Sequence, residues 1–117
     1  MKKILIIEDD ELFRETLAEK IKSENYEVLS AEDGEQGLKI LNDNVDTDLI
    51  ILDLVMPKMD GETFYYNMRT DLKDTIPVII FTNLTTTAYP GKAAEFLTKS
   101  NTSLEQLMEK IKKHIGE

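Results

Sequence analysis

The stretch Leu49-Ile50-Ile51-Leu52-Asp53-Leu54-Val55-Met56-Pro57-Lys58-Met59-Asp60-Gly61 decides how this chain is read. Four aliphatic residues in a row, without polar alternation, describe a strand covered on both faces, and such strands belong to parallel sheets. Asp53 stands immediately after them. A carboxylate there falls at the carboxyl end of a central strand, the edge along which open α/β sheets gather their ligands. Pro57 and Gly61 then interrupt regular structure and hold a short loop before the next helix. A lone Asp in that place is an ordinary loop residue. Its neighbours elsewhere in the chain change its meaning.

Working outward, Lys3-Ile4-Leu5-Ile6-Ile7 is a second apolar run, and Glu8-Asp9-Asp10 follows it. From Glu11 to Ser23, Phe13, Leu17 and Ile21 fall on one helical stripe, with Asp10 as the cap. Asn25-Tyr26 marks a turn, and Glu27-Val28-Leu29-Ser30-Ala31 is a more polar strand suited to a sheet edge. Asp33, with Gln36 three residues on, opens a helix through Leu38 and Leu41. Gly37 inside that helix costs about 1 kcal/mol against alanine, which points to close packing there.

Beyond the central loop, Glu62 to Leu72 reads as a helix with Phe64 and Met68 paired at i, i+4. Val78-Ile79-Ile80-Phe81 is a fourth buried strand, followed by Thr82. Glu95-Phe96-Leu97-Thr98 is a short fifth strand ending at Lys99. Ser103 and Gln106 form a capping box for a final helix that carries Leu104, Leu107, Met108, Ile111 and Ile115 on one face, and Gly116 closes it. His114, in the last turn, suits the helix dipole and nothing more. The alternation predicts right-handed crossovers and helices on both faces of one sheet. The pattern fails only between Asn83 and Ala94, where Thr85-Thr86-Thr87 and Pro90-Gly91 oppose a helix.

Composition narrows the function classes. The 117 residues make a single domain, 1–117. A net charge of −9 argues against direct nucleic-acid binding, which is led by phosphate neutralisation. No apolar run is long enough for a membrane span, and Met1-Lys2-Lys3 leads straight into strand residues, so a cytoplasmic location is expected. With no cysteine, disulfides and thiolate chemistry are excluded.

Parallel strands place their carboxyl ends along one edge, and the polar residues there are Glu8 and Asp9, then Asp53, then Thr82, then Lys99. Three converging carboxylates repel one another, and the ordinary relief is a divalent cation held by oxygen. Magnesium suits such a place because it keeps several waters and needs few protein oxygens. A hydroxyl and an ammonium across from it can hold the remaining oxygens of a phosphoryl group.

In these residues the chain closely resembles the receiver domains of two-component response regulators, along its full length and most of all the single-domain chemotaxis-regulator type. The resemblance rests on Ile6-Ile7-Glu8-Asp9-Asp10, on Asp53 through Gly61, on Val78 through Thr82, and on Phe96-Leu97-Thr98-Lys99. It implies a flavodoxin-like, doubly wound fold with a five-stranded parallel sheet in the order 2-1-3-4-5. It further implies that Asp53 accepts a phosphoryl group from a histidine kinase or a phosphotransfer protein. Glu8, Asp9, Asp53 and the backbone carbonyl of Val55 are then the magnesium ligands. Thr82 bonds the phosphoryl oxygen and moves inward, Lys99 pairs with the group, and Phe96 is the aromatic switch. With no output domain after Glu117 in this sequence, the expectation is either that the effect passes to a protein partner or that the chain is an excised domain.

Three departures from the family pattern stand out. Ser100 occupies a position where proline with a cis bond is usual, so a trans Lys99–Ser100 bond is expected. The span from Thr82 to Phe96 is short, so the fourth helix of the fold should be vestigial, with residues 83–94 as an output loop beside an apolar patch near Phe96 and Tyr89. Asn83 replaces a small residue and narrows access to Asp53. Two rival readings remain. One is a degenerate receiver acting as a phosphorylation-independent interaction module. The other is a haloacid-dehalogenase-like phosphatase, which needs a second Asp where this chain has Val55.

Overall fold

The structure, a computed structural model, describes residues 1–55, 61–71, 75–83 and 93–115. Its strands are β1 (Lys3–Ile7), β2 (Glu27–Ala31), β3 (Leu49–Leu52), β4 (Val78–Thr82) and β5 (Glu95–Thr98). Its helices are α1 (Glu11–Lys22), α2 (Gly34–Asp43), α3 (Gly61–Asp71) and α4 (Leu104–Ile115), with a single 3₁₀ turn at Lys99–Asn101. The strands pair in parallel in the order β2-β1-β3-β4-β5. The apolar runs predict the parallel sheet, and its order is the doubly wound, flavodoxin-like one that the family resemblance implies.

The continuous apolar strands feed two cores. Leu5, Ile7, Ile50, Leu52, Val78 and Ile80 face α2 and α3, where they meet Leu41, Phe64, Tyr65 and Met68. Their neighbours Ile4, Ile6, Leu49, Ile51, Ile79 and Phe81 face α1 and α4, and meet Leu17, Ile21, Leu107, Met108 and Ile111. Strand side chains alternate between faces, so a run with no polar residue is the pattern a sheet buried twice requires. β2 lies at an edge and is correspondingly half polar.

Local chemistry sets the helix ends. Asp10 accepts from the Phe13 N–H at 3.0 Å, and Asp33 from the Gln36 N–H at 2.8 Å. Ser103 and Gln106 bond each other's backbone N–H groups at 2.8 and 3.1 Å, a complete capping box. Asn25 takes a φ of 72° in the turn before β2, a conformation asparagine tolerates better than most residues. His114 does more than face a dipole: its Nε2 lies 2.8 Å from Glu95 and ties α4 to β5. That contact, with help from Lys110 and Lys113, holds the Glu95 carboxyl below the usual glutamate range.

Gly37 is where α2 comes closest to the sheet. A Cβ there would lie 2.7 Å from Ile7 Cδ1 and 3.2 Å from Phe64 Cε1, both on fully buried side chains. Gly37→Ala should therefore forfeit the usual helical gain and lower stability by about 1–2 kcal/mol through overpacking. Urea unfolding checks this; a stabilised variant would show that Ile7 and Phe64 yield freely.

The helices α1 to α4 are those of the described residues, and the fourth helix of the fold, expected to be vestigial, would fall between β4 and β5, largely outside them. The expected output loop and the patch at Tyr89 fall largely on residues 84–92, outside the described residues. No helix among those described is long and apolar enough to cross a membrane. No described peptide bond is cis, so Lys99–Ser100 is trans as expected.

Candidate functional site

The register of the sheet brings the site together. Ile7 pairs with Leu52, so β1 and β3 end level, and the Asp53 N–H bonds the Ile7 carbonyl at 3.1 Å. Glu8 and Asp53 thereby stand side by side at the same edge. Thr82 pairs with Thr98, which sets Lys99 one residue past Thr82. All five residues expected from the sequence line one cleft with Asp10, Val55 and Asn83.

Glu8, Asp53 and Thr82 are buried, at 3%, 6% and 0% exposure, while Asp9 opens to solvent. One oxygen from each of Glu8, Asp9 and Asp53 lies within 4.8 Å of the others. The two Asp53 oxygens have different neighbours. Oδ1 accepts from the Thr82 hydroxyl at 2.7 Å and from the Val55 N–H at 3.1 Å. Oδ2 accepts from Lys99 at 2.9 Å, and the same ammonium bonds Glu8. The Thr82 hydroxyl thus faces the Asp53 carboxylate.

Charge is unbalanced in the cleft. Burial pushes the Glu8 carboxyl above its usual range, and the Asp53 charge adds to this against hydrogen bonds from Lys99 and the Asp10 N–H. Burial draws the Lys99 ammonium down, but Glu8 and Asp53 outweigh it and hold it above the ordinary lysine value. Both shifts favour the protonated form, that of Glu8 chiefly through burial and that of Lys99 through the two carboxylates it bonds. An oxygen-binding divalent cation fits the donor set, since the exposed Asp9 leaves one side free for water.

Other residues complete the arrangement that the motif reading left out. The Phe13 ring lies 4.7 Å from the Lys99 ammonium and 5.8 Å from the Phe81 ring, so it cradles the cation from below. An aromatic on a helical stripe reads as core, which hides this second contact. Arg14 donates to the Glu8 carbonyl at 2.8 Å and steadies the acidic turn. Phe96, half-buried on β5 beside Ile80, packs against the α2–α3 core.

Fold and site together define an α/β protein with an acidic cleft at the carboxyl edge of its parallel sheet. The chain belongs to the response regulator receiver domain family, whose profile matches residues 4–112. Receiver domains are signalling proteins rather than enzymes of the ordinary kind. The chain is 36% identical over 80 residues to the uncharacterized transcriptional regulatory protein YrkP of Bacillus subtilis, covering 68% of this chain and 33% of that protein. It is 40% identical over 82 residues to the transcriptional regulatory protein CpxR of Klebsiella pneumoniae, covering 70% and 34%. The chain therefore spans about a third of the length of these curated relatives. Among solved structures it is similar to the response regulator TrrA of Thermotoga maritima, itself in complex with Mg²⁺–BeF. That similarity has a TM-score of 0.87 and 34% identity, over 97% of this chain and 98% of that one.

Proposed function

We propose that this receiver accepts a phosphoryl group on Asp53 from a histidine kinase or phosphotransfer protein in the cytoplasm, with magnesium, and switches conformation to control a protein partner. The convergence of Glu8, Asp9 and Asp53 on Lys99 and Thr82 carries the reading. An Asp53 oxygen attacks the phosphorus of a phosphohistidine; the P–O bond forms as the P–N bond breaks, and the imidazole leaves with the electron pair. Glu8, Asp9, Asp53 and the Val55 carbonyl are the ligands proposed for magnesium, which when bound supplies positive charge against the phosphoryl oxygens. Lys99 balances the remaining charge, and Thr82 exchanges its bond to Asp53 Oδ1 for one to a phosphoryl oxygen. Phe96, which pairs with Ile80 two residues before Thr82, registers the change. Later attack of water on phosphorus releases inorganic phosphate and restores the carboxylate.

Residues 1–117 act in this as one domain, and the net charge of −9 keeps the chain itself from nucleic acid. The test is phosphotransfer from a small acyl phosphate with magnesium. Wild type should take up one phosphoryl group per chain, and Asp53→Asn none. Uptake that survives Asp53→Asn, or a wild type that takes none, overturns the reading.

A further inference from the structure

Lys99 has its ammonium at the centre of the cleft, but its backbone sits in the short turn Lys99–Asn101, and that turn begins without a cap of its own. Thr98 occupies the cap position and makes no side-chain cap bond. The first N–H groups of such a turn have no partner within it. One of them, the Ser100 N–H, donates at 3.1 Å to Oδ1 of Asn83, seventeen residues away at the end of β4. Asparagine is among the best capping residues, and here it is delivered from a neighbouring strand. The bond joins the residue after Thr82 to the residue after Lys99, so it spans the two strand ends that carry the cleft's hydroxyl and its ammonium. It also requires an N–H at position 100, which proline would lack.

We infer that Asn83 is a positioning residue for phosphoryl uptake: by capping the turn at Ser100, it fixes where Lys99 enters the cleft. The carboxamide lines the cleft itself, yet its oxygen is committed to the backbone of the turn rather than to the phosphoryl position. Asn83 therefore acts through Lys99. The inference rests on the phosphoacceptor reading above and adds to it a residue and a route.

The side chain of Ser100 takes no part in the bond, which separates this role from a general packing effect. Phosphorylation of Asp53 by a small acyl phosphate with magnesium, followed in single turnover, is the rate to compare. Asn83→Ala should slow it roughly three- to tenfold, as expected for one hydrogen bond. Ser100→Pro should match that loss, Ser100→Ala should equal wild type, and the double variant should be no slower than either single one. In a Lys99→Ala background, Asn83→Ala should have no further effect. Amide exchange at residue 100 gives a readout independent of phosphate: protected in wild type and Asn83→Asp, unprotected in Asn83→Ala. A wild type that is not phosphorylated would sink the underlying function and leave the exchange result to decide the contact. Losses that add between positions 83 and 100, an Asn83→Ala effect that persists without Lys99, or unchanged exchange in Asn83→Ala would overturn the inference itself.

Discussion

Lys99→Ala is expected to destabilise the metal-free protein by about 2–4 kcal/mol, more than other single changes in the cleft. The ammonium is the partner of both Glu8 and Asp53 and rests on the Phe13 ring. Its removal leaves two buried carboxylates without a counter-charge, a larger penalty than the pair's own worth. The loss should depend on pH, and its sign follows from Glu8. That carboxyl is held above its ordinary value of 4.5 in the fold, so the stability it contributes is full below that value and is lost as pH rises through the raised one. Without Lys99 the rise is greater. The variant should therefore lie nearer wild type at pH 5 than at pH 8. Urea unfolding at both values is the measurement; a small loss, equal at the two, would mean that the ammonium is not the charge that holds the cleft together.

Magnesium should raise the melting temperature of the wild type strongly. A ligand at a hundred times its dissociation constant stabilises a fold by about 2.7 kcal/mol, roughly 8–15 °C for a domain of this size. Asp53→Asn should melt higher than wild type in the absence of metal. It removes one of three converging carboxylates, while its amide oxygen can still accept from Thr82 and Val55. The same variant should show a much smaller magnesium shift. Melting curves that coincide with and without saturating magnesium would remove the shared cation site.

Where burial and capping follow from nearest neighbours, the residues were informative in advance. The runs at residues 3–7 and 49–52 form strands with those bounds, and Asp10, Asp33 and Ser103 cap the helices they precede. Gly37 marked a close approach that Ile7 and Phe64 make real. The five cleft residues were legible because parallel strands send their carboxyl ends to one edge, whatever the helices between them do. The contacts that escaped notice join positions far apart in the chain without a periodic pattern. His114 finds Glu95 across nineteen residues, and Phe13 reaches under Lys99 while also filling core. Asn83 read as an obstruction in the cleft, because nothing in the local sequence announces that its oxygen is turned toward a backbone N–H.

That bond treats its two ends unequally, and inheritance should register the difference. At position 100 the donor belongs to the backbone, so any residue but proline can supply it, and drift there is nearly free. At position 83 the acceptor is a side chain of one length and geometry, so only asparagine or aspartate can reach. Descendants of this chain should therefore hold position 83 while position 100 wanders. A proline arriving at 100 would release position 83 from its constraint in the same step. The pair is a one-way ratchet: the order in which the two positions change determines which lineages keep the capped turn.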